Sequence, residues 1–292
     1  MTIALFGTPY PEQFSKYIQH LIKKLEAEHV KIIIEEKFND FLKKDIRFNK
    51  AINTFNCYED LINNADFLFS VGGDGTLLKA VTFVRDANIP IMGINTGRLG
   101  FISSISAGKI DDAINDILKN NYTINERTLL SLETDNNLFK EKNFALNEVA
   151  VSKKDTSSMI RIDAFVDGEF LNTYWADGLV VSTPTGSTGY SLSCGGPIIM
   201  PGTNNIIITP NAPHNLNVRP IVIDDSSIIK LKVEDRDKLA LISLDSRSRA
   251  FNSETELIIK VANFKIKLIQ PQNNSFTSTI RNKLMWGLDK RS

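Results

Sequence analysis

Residues 66–84, Asp-Phe-Leu-Phe-Ser-Val-Gly-Gly-Asp-Gly-Thr-Leu-Leu-Lys-Ala-Val-Thr-Phe-Val, hold a short apolar run, a glycine-rich turn and then apolar residues at helical spacing. The spacing predicts a strand from Asp66 to Val71 and a helix marked by Leu77, Leu78, Val81 and Val84. Working outward, the same alternation recurs. Thr2 to Phe6 is predicted as a strand, and Phe14, Tyr17, Ile18, Leu21, Ile22 and Leu25 lie on one helical face. A strand from Val30 to Ile34 leads to a weaker helical stretch around Phe38, Phe41 and Leu42, and Ile89 to Ile94 is a further strand. Short, fully apolar strands between helices indicate a parallel sheet with flanking helices, which binds ligands at the carboxyl ends of its strands.

After a helical segment from Ile110 to Leu118 the apolar period changes from about 3.6 to two. Ile160, Ile162, Ala164 and Val166 alternate with polar residues up to Asp167-Gly168, a hairpin dipeptide. Further strands are predicted at Ile221 to Ile223, Ile228 to Val233, Leu239 to Leu244, Leu257 to Val261 and Phe264 to Ile269. The expected organisation is an α/β domain over residues 1–105 and an all-β, sandwich-like domain over 106–271, with the tail 272–292 returning to the first. The 292 residues, 42% hydrophobic and 23% charged, exclude global disorder. Lys plus Arg and Asp plus Glu both number 34, so no whole-chain field draws nucleic acid or a membrane surface. No apolar stretch is long enough to span a bilayer. Cys57 and Cys194 lack metal-ligand spacing and suit a reducing compartment, so a cytoplasmic protein without zinc is expected.

The turn Gly72-Gly73-Asp74-Gly75-Thr76 joins a strand to a helix N-terminus, where backbone N–H groups and the helix dipole favour an anion. Asp74, ionised at neutral pH as aspartates ordinarily are, would repel a bare phosphate. It makes chemical sense if it accepts a proton from a hydroxyl attacking phosphorus, or helps hold a divalent cation between phosphates. The alternative is a plain tight turn with Asp74 as the helix N-cap. Arg98, in the loop after the Ile89 to Ile94 strand, is placed at the same sheet edge and joins Gly72, Gly73 and Thr76 as a phosphate-loop candidate. Asp177 to Ser193, rich in Gly, Ser and Thr with Tyr190 as one aromatic face, follows an apolar strand and suits a nucleoside. Asn147-Glu148 interrupts an apolar run. His20, His29 and His214 have no partners at metal-site spacing, and the chain lacks the P-loop, the dinucleotide G-x-G-x-x-G fingerprint and G-x-S-x-G.

Taken together, Gly72 to Thr76, Gly93 to Phe101, Asn147-Glu148 and Asp177 to Ser193 resemble, in that order, the NAD kinase family, and Lys283 to Gly287 looks like its C-terminal ending. The Gly-Gly-Asp-Gly tetrad is shared with diacylglycerol-type lipid kinases, whereas Thr183 to Tyr190 is far more specific. The resemblance implies ATP-dependent phosphorylation of the 2'-hydroxyl of the adenosine ribose of NAD, a divalent cation, Mg²⁺, accompanying ATP, and a homodimer or homotetramer. By the same resemblance, Asp74 is the proton acceptor and contacts the dinucleotide with Gly75. Asn147 and Glu148 bind it, Asp177, Thr188, Gly189, Tyr190, Ser191, Leu192 and Ser193 line the pocket, and Lys79 offers a basic contact.

Three positions depart from the family pattern. Trp175 stands where many members have Arg, Ser158 where a basic residue or His is frequent, and Arg247 where Gln can occur. They bear on the choice between oxidised and reduced dinucleotide, with Arg247 expected to compensate for missing positive charge. Two other readings remain at this level: a lipid kinase using the same tetrad, and a dinucleotide sensor that binds without needing Asp74.

Overall fold

The computed structural model describes residues 1–97, 100–103, 105–154, 158–235, 238–270 and 275–286. They form two compact units: Met1–Glu126 with the described residues from Ile266 onward, and Arg127–Lys265.

The first unit contains β1 (Thr2–Gly7), α1 (Ser15–Ala27), β2 (Lys31–Glu35), α2 (Glu36–Leu42), β3 (Asn53–Phe55), α3 (Tyr58–Leu61), β4 (Phe67–Val71), α4 (Asp74–Val84), β5 (Ile91–Asn95), β6 (Ile105–Ser106) and α5 (Ile110–Leu118). The strands are parallel in the order β5-β4-β1-β2-β3, with Gly7 opposite Val71 and Val71 opposite Ile94. Every residue of β4 and β5 is buried, which is why Phe-Leu-Phe-Ser-Val reads as a continuous apolar run rather than an alternating one. Ile18, Leu21, Ile22 and Leu25 of α1 join Leu5, Phe69, Met92 and Ile94 of the sheet in one core.

The first compact unit runs past residue 105, to Glu126. Ile110, Ala113, Ile114 and Ile117 bury the apolar face of α5 in the first core, and His20 of α1 meets Asp111 at 2.8 Å. The change of period marks where strands take over, but α5 needs the first unit to cover its apolar stripe.

The second unit contains the rest of β7 (Thr123–Glu133), then β8 (Phe144–Ala145), β9 (Glu148–Lys153), β10 (Ile160–Val166), β11 (Glu169–Ala176), β12 (Gly178–Ser182), α6 (Tyr190–Ser193), β13 (Asn205–Asn211), β14 (Ile221–Asp224), β15 (Ile229–Glu234), β16 (Leu239–Leu244) and β17 (Arg247–Asn252). One antiparallel sheet runs β14-β13-β12-β9-β16-β17, and β11-β10-β15 continues onto the start of β18 (Leu257–Gln270). Val149, Val151, Leu179 and Val181 from one sheet share a core with Ile160, Ile162, Leu231, Val233 and Ile259 from the other, the arrangement of a β-sandwich. Asp167 and Gly168 turn the β10–β11 hairpin with φ of 51° and 85°.

The two strands expected at 257–261 and 264–269 are one strand, β18. Ala262 and Asn263 interrupt the apolar alternation, but no Gly or Pro stands there and the backbone stays extended from Leu257 to Gln270, passing from the second unit into the first. There Leu268 pairs with Ile91 of β5, and α7 (Phe276–Leu284) follows, capped by Ser275, whose side chain accepts the Ser278 N–H.

Candidate active site

Strands β1, β4 and β5 are mutually parallel, so Thr8, the Gly72–Asp74 turn and Thr96–Gly97 all leave the sheet at one edge. The glycines of the turn differ in what holds them. Gly72 has φ +152°, and a Cβ there would stand 2.3 Å from the Thr76 hydroxyl, which itself pairs with that of Thr8 at 2.9 Å. Its glycine has an internal cause. Gly73 and Gly75 are exposed, and a Cβ on either would meet no described residue within 4 Å. Packing among the described residues does not require glycine at these two positions, and the bare backbone leaves room for a ligand to approach it.

The helix N-cap is Gly73, not Asp74, and it makes no side-chain cap. This overturns the plain N-cap alternative. The Asp74 carboxylate reaches instead to the segment after β5: Oδ2 accepts the Phe101 N–H at 2.8 Å, and Oδ1 accepts those of Ser103 at 2.8 Å and Ile102 at 3.3 Å. Gly100 makes room, since a Cβ there would lie 1.7 Å from Asp74 Oδ1. Gly93 of β5 lets the same segment cross the strand, because its Cβ would lie 2.7 Å from Ser103 Cα. A carboxylate offers about four lone-pair directions. Three are filled by amides that fix the group, and one remains on a half-exposed side chain. Lys79 is exposed one turn of α4 beyond Gly75, on the same helix face. Arg98 lies outside the described residues.

In the second unit, Asn147 and Glu148 are both buried where β8 gives way to β9. The loop after β12 folds directly onto them. Thr183 takes the Asn147 carbonyl with its N–H at 2.9 Å and donates its hydroxyl to the Leu146 carbonyl at 2.6 Å. A Cβ on Gly186 would fall 2.0 Å from the Asn147 carbonyl oxygen, and one on Gly189 would fall 2.9 Å from Glu148 Oε2, which also accepts the Tyr190 N–H at 3.4 Å. Burial first, and then the charge of Asp245, pushes the Glu148 carboxyl up to about 7, against the pull of the Tyr190 amide. Asn147 Oδ1 is buried with no hydrogen-bond partner among the described residues.

The hydroxyl density that the sequence presents as ligand donors has a largely internal use. Ser187 Oγ meets the Pro184 and Ile199 backbones, Thr188 Oγ1 donates to the Thr185 carbonyl at 3.2 Å, and Ser191 Oγ pairs with Thr209 Oγ1 at 2.9 Å. Tyr190 keeps its ring exposed while its phenol oxygen accepts Asn211 Nδ2 at 2.9 Å; Leu192 is half-buried and Ser193 exposed. Asp177 pairs with Lys153 at 2.6 Å.

Trp175 and Ser158 line a cavity of about 730 Å³ with Lys153, Met159, Arg161, Glu234 and Asp235. Lys153 and Arg161 stand at this cavity, but Lys153 is paired with Asp177 at 2.6 Å and Arg161 with Asp163 at 2.9 Å and Glu234 at 2.8 Å, so the two cations are offset by acidic partners. Arg247 does not extend that charge. Its guanidinium donates to the Lys142 and Phe144 carbonyls and lies 5.4 Å from the Phe144 ring centroid, so it braces the approach to Asn147 rather than standing free for a ligand.

Sequence reading misses the amides of Phe101 to Ser103 and the carboxylate of Asp245. The only signal for the first was a second glycine in Gly97-Arg98-Leu99-Gly100; for the second there was an Asp at a turn, which is ordinary. No group of three or more His, Cys, Asp or Glu able to hold a metal occurs among the described residues, and none of their helices is long and apolar enough to cross a membrane.

Residues 3–122 match the family model of the ATP-NAD kinase N-terminal domain and residues 146–271 that of its C-terminal domain. NAD kinases of Cytophaga hutchinsonii and Flavobacterium psychrophilum are 47% and 48% identical to the chain over the whole length of both partners. The fold is also that of an Archaeoglobus fulgidus NAD kinase solved in complex with ATP, with TM-score 0.76 and 26% identity over 98% of this chain and 99% of that one. A yeast NADH kinase solved with NADH superimposes with TM-score 0.87 over 98% of this chain and 88% of the other, at 24% identity. With both domain models matched and full-length relatives this similar, the chain is an enzyme of the NAD kinase family.

Proposed function

We propose that the chain transfers the terminal phosphoryl group of ATP to the 2'-hydroxyl of the adenosine ribose of NAD, with Asp74 as proton acceptor. The observation that carries the site assignment is the contrast between Gly72, which its own packing explains, and Gly73 and Gly75, where no described residue occupies the space a Cβ would take and a ligand has room to approach the backbone. Asp74 stands between them, its carboxylate held by three amides with one lone-pair direction left. That oxygen takes the proton of the ribose hydroxyl as the hydroxyl oxygen bonds to phosphorus and the bond to the leaving ADP oxygen breaks. The N-terminal amides of α4 donate to the phosphate oxygens, which the bare backbone of Gly75 lets approach closely. Asn147 and Glu148 provide an unsatisfied acceptor and a carboxylate for the dinucleotide, and the Tyr190 ring a face for stacking.

A Mg²⁺ ion arriving with ATP fits a chain without a dedicated carboxylate cluster among its described residues, because Mg²⁺ keeps several waters and binds largely through phosphates. Such an ion would neutralise charge on the transferring phosphoryl group. A homo-oligomer working in the cytoplasm belongs to the same reading, supported by the two unpaired cysteines. The lipid-kinase and sensor readings are disfavoured by relatives that are NAD kinases along their whole length.

Purified protein given ATP, Mg²⁺ and NAD should form NADP. Asp74→Asn should keep most of its NAD affinity and lose ~10²- to 10⁴-fold in kcat. NAD binding without turnover in the parent protein would point to a sensor, and wild-type turnover in Asp74→Asn would remove the proton-acceptor role.

A further inference from the structure

We propose that Asp245, on the turn between β16 and β17, is a positioning residue for the dinucleotide: its carboxylate sets the backbone from which Asn147 and Glu148 project. The inference rests on the reading above that this pair binds NAD. Asp245 Oδ2 accepts the Leu146 N–H at 2.9 Å, and Oδ1 accepts those of Asn147 at 2.7 Å and Glu148 at 3.2 Å. The link is closed in return by the Asp245 N–H, which donates to the Glu148 carbonyl at 3.0 Å. One side chain thus receives three consecutive amides from a segment nearly a hundred residues away in sequence.

The place explains the need. The β16–β9 ladder ends at the pair Leu244 and Val149, and β8 ends at Ala145, so the N–H groups of residues 146–148 have no neighbouring strand to accept them from that side. A turn would ordinarily leave them to water, but here Asn147 and Glu148 are buried. The carboxylate does what a strand carbonyl cannot, because two oxygens on one short side chain converge on three amides. Asp245 holds φ 53°, a conformation that Asp tolerates better than most residues. Burial raises the Asp245 pKa, and the three amide donors, with the Arg247 cation, oppose that rise by favouring the anion.

The position also gives Asp245 an electrical effect on the pair. Its charge is the second cause, after burial, of the raised Glu148 pKa. The other titratable groups around them are Tyr190 and Cys194, which face Glu148, and Arg247, whose cation favours the Asp245 anion. A residue that merely finished a hairpin would affect folding alone; one that aims Asn147 and Glu148 should affect NAD and leave ATP untouched.

The test uses the full chain with two replacements. Asp245→Asn is isosteric but leaves one acceptor oxygen and turns an NH₂ group toward backbone N–H. Asp245→Gly keeps the left-handed turn and removes the carboxylate altogether. With folding checked by circular dichroism and melting, steady-state kinetics are measured from pH 5.5 to 9, alongside Asn147→Ala. The expected result is a rise of tenfold or more in the KM for NAD for both Asp245 variants, a KM for ATP within about twofold of the parent, and an acid shift of the inflection in the pH profile of the NAD KM for Asp245→Asn. Folded Asp245 variants with the parent NAD KM and an unmoved inflection, beside an Asn147→Ala that raises the KM, would overturn the positioning role while leaving the dinucleotide reading intact. An unchanged KM in Asn147→Ala would overturn that reading and the proposal with it.

Discussion

Gly100→Ala puts a methyl group where Asp74 now stands. The new Cβ would lie 1.7 Å from Asp74 Oδ1 and 2.4 Å from its Cγ, where ordinary contact begins at 3.4 Å. The carboxylate or the segment 100–103 must therefore retreat by roughly 1.5 Å or more, since real Cβ atoms essentially never come within 3 Å of another heavy atom. Hydrogen bonds of 2.8, 2.8 and 3.3 Å to Phe101, Ser103 and Ile102 cannot survive a shift of that size. Bonds to a charged group are worth about 1.5–3 kcal/mol each, and water reaching the half-exposed carboxylate returns part of that, so the expected net loss of stability is about 2–4 kcal/mol. Catalysis should suffer more, because a misplacement of ~1 Å at a reacting group costs on the order of 10²-fold. The assay is urea denaturation together with kcat at saturating ATP and NAD. Gly108→Ala serves as control, since a Cβ at Gly108 meets no described residue within 4 Å. A Gly100→Ala protein with the parent midpoint and the parent kcat would refute the claim that this segment holds Asp74 in place.

Gly75→Ala should melt with the parent protein and yet lose tenfold or more in kcat/KM, because the added methyl group meets open space in the chain and a ligand in the complex; full activity would show that nothing packs there. Glu148→Gln should change stability with pH. The folded pKa of Glu148, about 7, exceeds its unfolded value of 4.5, so the native state holds the proton more tightly, and the contribution present below 4.5 is lost as pH rises through 7. The glutamine variant should therefore gain up to ~3 kcal/mol on the parent at pH 8 and nothing at pH 4, while its NAD KM rises; equal pH-stability curves for the two proteins would contradict this. Arg247→Ala removes the hydrogen bonds to the Lys142 and Phe144 carbonyls and should destabilise the fold by about 2–4 kcal/mol in equilibrium unfolding, with parent-like stability as the contrary result.

Much of the fold is legible in local pattern. Phe67 to Val71 and Ile91 to Asn95 are continuous apolar runs because parallel strands between helices are buried on both faces, and Ile160 to Val166 alternates because one face of its sheet meets the core. β17 is not legible: Arg-Ser-Arg-Ala-Phe-Asn has one buried residue, Phe251, since it is the edge of its sheet and pairs only with β16. β7 likewise mixes polar and apolar residues, and its partners lie far away in sequence on β18 and β8. In the site, the glycine turn and the Thr183 to Tyr190 loop declare themselves because glycine clusters next to apolar strands are costly without a use. Composition cannot tell which hydroxyls are free: Ser187 and Thr188 are bound within their own loop, Ser191 pairs with Thr209 of β13, and Arg247 serves two carbonyls.

From the order of its residues alone, then, the chain declares a parallel α/β half, a β-rich half and a carboxylate between glycines at a strand-to-helix turn, since these depend on side-chain period and on neighbours in sequence. Tertiary structure alone decides that Asp74 is gripped by amides 27 to 29 residues away and that Asp245 holds amides 97 to 99 residues away. Backbone N–H groups are the same on every residue, so which of them a carboxylate finds is set by how strands end and loops cross, and no side-chain pattern records it.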